Sequence, residues 1–276
     1  IPYFVDINYQ GHIDTQKIPT DALRLAKALV PVHYAGCEMD LSAVFSLADR
    51  YGFRVIEDAA HSFGSQNIAA PSKRRFDFLC YSFDGIKNIT TAEGGAVCCS
   101  CSSDYQRLQN IRFLGVVGDS DKRSKNQRTW YPSVIEQGWR AHMSNVNAAI
   151  GIAQLSRREE LWSKRKSLAY IYHQTLVSSN YIIPILPDDE RIVPHIYPVY
   201  VNSHPLQDIL EKLRSSDIEV GRHYYPNHKL EFFNKFPSGD LAVTEDFFDH
   251  TLSLPLHPLL SVDDANYILS VLKSYL

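Results

Sequence analysis

Two short stretches carry side chains whose type and placement could do chemistry. The first, Phe76-Asp77-Phe78-Leu79-Cys80-Tyr81-Ser82-Phe83, has the length and composition of a buried strand, and a small polar turn after it presents a single lysine, Lys87. An amine beside a core strand sits where burial and neighbouring charge lower its pKa, the condition for a lysine that forms a Schiff base with a carbonyl. The second is Arg54-Val55-Ile56-Glu57-Asp58-Ala59-Ala60-His61-Ser62. Val55 and Ile56 read as the end of another core strand, and Asp58 follows at its C-terminal edge, where open α/β sheets place their ligands. A lysine for an aldehyde and a carboxylate that keeps a pyridine nitrogen protonated are together what pyridoxal 5'-phosphate needs.

The elements that must position these groups follow from periodicity. Leu29 to His33 reads as a core strand. Asp40 reads as an N-cap, with Leu41, Val44, Phe45, Ala48 and Tyr51 on one helical face, and Gly52 stops that helix before a strand from Phe53 to Ile56. A strand–helix–strand unit implies parallel strands joined by a right-handed crossover, hence a mostly parallel sheet flanked by helices. Tyr3 to Ile7 reads as a further strand. Gly94-Gly95 offers positive φ where the chain turns into a strand from Ala96 to Cys99. Ser102 to Leu114 has helical periodicity, and Gly115 to Gly138 reads as an extended loop. Ser144 reads as the N-cap of one long helix running toward Tyr172. Strands over Ile192–Val201, Glu219–Tyr224 and Leu252–Leu254 alternate with helices over Leu206–Leu213 and from Asp263, giving a smaller α+β C-terminal domain. The expected boundary near Leu161 gives domains 1–161 and 162–276.

Composition narrows the class. The 276 residues are 45% hydrophobic and 21% charged, an ordinary globular balance. A net charge of −3 gives no electrostatic reason to expect nucleic acid or an anionic membrane as partner. Lys73-Arg74-Arg75 reads as a solvated loop. No apolar run has the length of a membrane span and the N-terminus lacks a signal pattern, so the expected compartment is the cytoplasm. Cys37, Cys80, Cys98, Cys99 and Cys101 make no disulfide framework. Adjacent cysteines on a strand face opposite ways and no histidine lies at ligand spacing, so no metal is expected.

VPVHYAG at 30–36, VIEDAAHSFGS at 55–65, YSFDGIKNITTAEGGAV at 81–97, SNVNAAIGIAQL at 144–155 and TLSLPLHPLLSVDD at 251–264 occur in the order in which the DegT/StrS family carries them. The sequence resembles that family of pyridoxal-phosphate-dependent nucleotide-sugar aminotransferases, of the aspartate aminotransferase-like fold type I. The resemblance implies Lys87 as the cofactor's lysine, Asp58 as the pyridinium partner, His61 beside the cofactor's phenolic oxygen and Ser82 as a phosphate ligand. Ala59 and Ala60 are small enough to let a planar ring approach the backbone. Relatives often carry asparagine where Arg140 stands, reaching phosphate from the neighbouring subunit, and a guanidinium could keep that role. His223 and Tyr224 match substrate-facing positions, and Trp130 and Tyr131 read equally as base- or sugar-stacking residues and as buried anchors of the loop. In relatives the counterpart of Tyr3–Ile7 lies well inside the chain, after a region that carries a phosphate-binding turn, so the large domain is expected to lack that region here.

What the resemblance implies as function is transfer of an amino group from an amino acid, L-glutamate, to a nucleotide-linked 3- or 4-keto-6-deoxy sugar. The setting would be lipopolysaccharide, O-antigen or other deoxyaminosugar biosynthesis, in a homodimer with shared active sites. Relatives that dehydrate sugars with pyridoxamine phosphate carry histidine in place of the lysine, so Lys87 points to transamination. The competing reading from another class is a catalytically silent, truncated homologue with a regulatory or binding role.

Overall fold

The computed structural model describes residues 1–66, 75–117, 133–202 and 205–275. Helix α1 (Thr20–Leu25) leads into β1 (Ala28–Leu29), α2 (Ser42–Tyr51) and β2 (Arg54–Asp58), followed by β3 (Phe78–Ser82) and β4 (Gly95–Cys99). The sheet order is β1-β2-β3-β4. The first three strands run parallel and β4 antiparallel, with Asp58 opposite Cys80 and Ser82 opposite Gly95. Helix α2 lays Val44, Phe45 and Ala48 against Val55 and Phe53 of the sheet, in one apolar core with Leu23, Leu29 and Leu41. It ends at Gly52 in the left-handed conformation, as the sequence pattern predicts.

Helix α3 (Ser102–Ile111) precedes a short antiparallel pair, β5 (Val116–Val117) with β6 (Ser133–Val134). Then come α4 (Asn145–Ser156), α5 (Arg158–Leu176), β7 (Ile182–Pro184), β8 (Tyr197–Val201), α6 (Leu206–Ser215), α7 (Ala242–His250), β9 (Thr251–Leu254) and α8 (Val262–Leu272). Strands β7-β8-β9 form an antiparallel sheet. A second core collects Leu168, Tyr172 and Leu176 of α5 with Val199, Ile209, Leu213, Leu252, Ile268 and Leu272. Tyr34 and Ala35, from the first half of the chain, join this second core.

Several expectations change in detail. Tyr3–Ile7 is not a strand: Phe4 bridges to Ser238 and Ile7 to Ile13, each a single pairing. Its ordering comes instead from buried Asp6, whose carboxylate accepts from Val243 N, Thr244 N and Thr244 Oγ1, so a residue near the start of the chain caps α7. The strand at Leu29–His33 shortens to Ala28–Leu29 plus a bridge from Val32 to Asp58. Asp40 lies one residue before the observed cap, Leu41, and accepts from Ser42 N at 2.9 Å. The single long helix is two, because Arg157 leaves helical geometry between α4 and α5; Ser144 does cap, accepting from Asn147 N. The segment 219–224 contributes only a Gly221–Ser253 bridge. Gly94 and Gly95 do not use positive φ; Ala92 does, at 65°. Trp130, Tyr131, Lys73 and Arg74 lie outside the described residues. Among the described residues, no helix is long and apolar enough to cross a membrane.

Candidate active site

The site forms where the C-terminal ends of β2 and β3 meet the turn of residues 33–36 and the segment 221–224. Asp58 is fixed through its backbone: its N–H donates to Pro31 O at 2.8 Å and its carbonyl accepts from His33 N at 3.0 Å. The Asp58 carboxylate accepts from Ala60 N at 3.0 Å, which aims it past the strand end. Directly behind, Glu57 and His33 are both fully buried, with His33 Nε2 donating to Glu57 Oε2 at 2.9 Å and Met39 N donating to His33 Nδ1 at 3.2 Å. Alternation along the strand thus sends Glu57 into the interior and Asp58 toward the open side.

Lys87 sits in the turn after β3, where its N–H donates to Asp84 O at 3.1 Å and Ile86 N donates to Asp84 Oδ1. Thr91 N donates back to Phe83 O at 2.9 Å, closing the loop that carries the lysine. Partial burial pulls the Lys87 amine below the usual lysine range, while the charges of Asp58 and Asp84 act in the opposite sense. Asp58 and Lys87, contributed by adjacent parallel strands, therefore lie within each other's field.

Histidines surround this pair. His61 is buried, its Nδ1 accepts from Ala35 N at 3.2 Å, and its Nε2 lies 3.0 Å from the Tyr224 hydroxyl. Burial first, then the Lys87 charge, drive its pKa down to about 3. His195 packs against it with ring centroids 4.5 Å apart and is pushed to about 2, chiefly by burial. His223, likewise lowered by burial and by Lys87, hydrogen-bonds Ser253 Oγ through Nδ1 at 2.9 Å. At neutral pH all three rings are uncharged. Buried Asn88 donates from Nδ2 to Val193 O at 3.0 Å and to Phe63 O at 3.2 Å, tying the lysine loop to the segment before β8.

Of the residues expected from sequence, Lys87, Asp58, His61, His223 and Tyr224 converge on one locus. Ala59 is fully buried with its N–H on Cys80 O, and Ser82 ends β3 with its Oγ accepting from Asp84 N at 3.4 Å. Arg140 stands apart: it is exposed, its backbone bridges Phe113, and within this chain no contact joins it to Lys87 or Asp58 among the described residues. Tyr34, Ala35 and the His33–Glu57 pair support the site although the sequence reading gave them no role in it. The short interval VPVHYAG was the available signal, since it places a histidine and a tyrosine beside a turn next to the βαβ unit. The five cysteines are free, and no cluster of three or more His, Cys, Asp or Glu could hold a metal ion among the described residues.

Comparison with known proteins gives the family and the fold. The profile of the DegT/DnrJ/EryC1/StrS aminotransferase family matches residues 1–273. The uncharacterized protein MJ1066 of Methanocaldococcus jannaschii is 31% identical over 283 residues, covering 99% of this chain and 73% of that protein. Helicobacter pylori PseC, an aminotransferase involved in the biosynthesis of pseudoaminic acid, superposes with a TM-score of 0.86 at 26% identity, covering 100% of this chain and 74% of PseC. The aminotransferase TlmJ from Streptoalloteichus hindustanus superposes with a TM-score of 0.85 at 25% identity, covering 99% of this chain and 72% of TlmJ. The chain belongs to the DegT/DnrJ/EryC1/StrS aminotransferase family, whose members are pyridoxal-phosphate-dependent enzymes of fold type I.

Proposed function

We propose that this sugar aminotransferase moves an amino group from L-glutamate to a nucleotide-linked 3- or 4-keto-6-deoxy sugar, in the formation of lipopolysaccharide, O-antigen or other deoxyaminosugars. The observation that carries the reading is the placement of Lys87 and Asp58 at the ends of neighbouring parallel strands, each within the other's field. The residues present fit the cofactor. A carboxylate and a partly buried amine face one locus, Ala59 offers only a methyl group, and the Ser82 hydroxyl, accepting a single long hydrogen bond, keeps its proton to give. Lys87 would carry the cofactor's aldehyde carbon, Asp58 would hold the proton on its ring nitrogen, and Ser82 would donate to its phosphate. When bound, the cofactor supplies an electron sink for the charge that develops as a proton leaves the donor's Cα.

The chain's own residues manage protons and water. Lys87, with its pKa lowered by burial, would be the local base once the donor's amine has displaced it from the cofactor's aldehyde carbon, taking the Cα proton and returning it to that carbon. Asp58, anchored through Pro31 and His33, keeps its carboxylate fixed as charge shifts. The neutral rings of His61, His195 and His223 add no positive charge that would compete with Lys87 for Asp58. The first half-reaction releases a keto acid and the second delivers the amine to the sugar, which predicts ping-pong kinetics. The large and small domains meet near Leu161, shortly before Leu168, where the second core's contributions from the C-terminal half of the chain start. The active unit is a homodimer, with Arg140 directed at the partner's site. Incubation of the purified protein with glutamate and a panel of keto-sugar nucleotides tests the reading. A new amino sugar is expected, with one 2-oxoglutarate formed per amine transferred; 2-oxoglutarate released from glutamate with no keto-sugar nucleotide of the panel aminated would refute it.

A further inference from the structure

Asn88, the residue after the lysine, is 4% exposed, whereas Gly85 and Ile86 on the other side of Lys87 are open to solvent. Its Nδ2 lies 3.0 Å from Val193 O, 3.2 Å from Phe63 O and 3.5 Å from His61 O. Carbonyl oxygens can only accept, so the amide nitrogen is the atom that faces them. The other end of the amide, Oδ1, is buried with no partner among the described residues. The side chain is therefore used for its two N–H groups, and its acceptor is left unsatisfied.

The three acceptors belong to two segments outside the lysine loop. His61 and Phe63 lie in the turn after Asp58, and Val193 lies in the segment before β8. That segment is held on the same side by Val193 N donating to Ser65 Oγ at 3.1 Å, Gln66 N to Arg191 O at 3.0 Å and His195 N to Ala35 O at 3.0 Å. Pairing between β2 and β3 ends at Asp58 and Cys80, with Ala59 N donating to Cys80 O just beyond, so the chain from Tyr81 to Lys87 runs on past the last rung. The bonds from Lys87 N to Asp84 O, Thr91 N to Phe83 O and Ala92 N to Thr90 Oγ1 close the loop on itself and fix nothing relative to Asp58. Gly36 makes room for the meeting point: it sits at φ 100°, and a Cβ there would lie 2.6 Å from Val193 O and 3.2 Å from His61 O, two of the carbonyls that Asn88 holds.

We propose that Asn88 is a positioning residue that sets the span between Lys87 and Asp58, clasping the lysine loop both to the turn after β2 and to the segment before β8. A cofactor held at one end by an amine and at the other by a carboxylate needs the two at a fixed separation. A rigid link from loop to loop supplies it even while the amine is released and free to move. The inference rests on Lys87 and Asp58 holding the cofactor, and it is independent of which sugar is aminated. The titratable groups facing Lys87 are Asp58, Asp84, His61, His195 and His223. Asn88 carries no charge, so its replacement acts on that set through the position of the lysine.

Asn88→Ala deletes the amide and Asn88→Leu keeps its volume without its donors, so the two variants separate hydrogen bonding from packing. In the full chain without cofactor, NMR of 13C-methylated lysines reports the titration of the Lys87 amine. Burial holds it low in the wild type, and both variants should move it up toward the ordinary lysine range as the loop lifts. In protein loaded with pyridoxal phosphate, both should lower the maximal rate of the glutamate half-reaction by roughly 10–100-fold, the size of effect a misplacement of about 1 Å produces, with the half-saturating glutamate concentration changed by less than about threefold. Gly36→Ala, which displaces Val193 O without touching Asn88, should shift the Lys87 titration in the same direction and keeps the test open if the Asn88 variants do not fold. Leu213→Ala, which empties a buried position of the second core, should destabilise the protein and change neither readout. A wild-type Lys87 titration or a wild-type rate in Asn88→Leu, an unshifted titration in Gly36→Ala, or an equal rate loss in Leu213→Ala overturns the clasp. A wild-type protein that holds pyridoxal phosphate on a lysine other than Lys87 overturns the site reading beneath it.

Discussion

Replacing His33 by leucine removes one half of a fully buried pair immediately behind Asp58. His33 Nε2 donates to Glu57 at 2.9 Å and His33 Nδ1 accepts from Met39 N, so His33→Leu deprives a buried carboxylate of a donor and orphans a backbone N–H. Breaking a buried pair by removing one partner costs about 3–5 kcal/mol, because the remaining charge stays desolvated. For a protein of this size the midpoint of thermal unfolding should fall by roughly 6–20 °C. Differential scanning calorimetry of wild type, His33→Leu and the double variant His33→Leu/Glu57→Leu measures it. The double variant should recover most of the loss, since it removes the stranded charge as well. Asp49→Asn, which breaks the exposed Asp49–Arg75 pair, serves as the control and should leave the midpoint unchanged. A single variant within about 1 kcal/mol of wild type, or a double variant no better than the single, would refute the claim that this pair braces the strand end.

Acid stability should fall in two windows. His12, His61 and His195 are held to about 4, 3 and 2 in the folded chain against 6.5 when unfolded, so the unfolded state binds more protons below pH 6.5 and the unfolding midpoint should decline from there. Asp6 acts lower: its folded pKa lies below 3.8, so its capping contribution is complete above that value and is lost as the pH falls through the folded pKa. Asp6→Asn should cost about 1–3 kcal/mol at neutral pH, with the gap closing only in strong acid, as read by urea unfolding at several pH values. Gly36→Ala should destabilise by about 1–3 kcal/mol, because a Cβ there would lie 2.6 Å from Val193 O. Ala35→Gly should be neutral or stabilising in the same thermal assay.

Legibility in the sequence followed range. Strand ends and their polar exits were readable because they are local: five apolar residues and a turn are enough to place Lys87 and Asp58 at the mouth of a sheet. The Gly52 stop, the Ser144 cap and the parallel pairing of β1 with β2 across their connecting helix were readable for the same reason. Tyr3–Ile7 looked like a strand, yet its order depends on Asp6 reaching a helix more than 230 positions later. His61 was visible as a candidate, but its partner Tyr224 lies 163 positions away, and nothing local reveals that both ring nitrogens are already committed. The positive φ expected at Gly94-Gly95 falls at Ala92 because Thr90 Oγ1 accepts the Ala92 N–H at 2.9 Å and closes the turn earlier.

Lys87 and Asp58 are tested most directly by loading the protein with pyridoxal phosphate, reducing it with borohydride and mapping the modified peptide by mass spectrometry. The account predicts a single stable adduct on Lys87, and a visible absorption band before reduction that Asp58→Asn shifts or weakens and Lys87→Ala abolishes. An adduct on another lysine, or a Lys87→Ala protein that still transaminates, would contradict it.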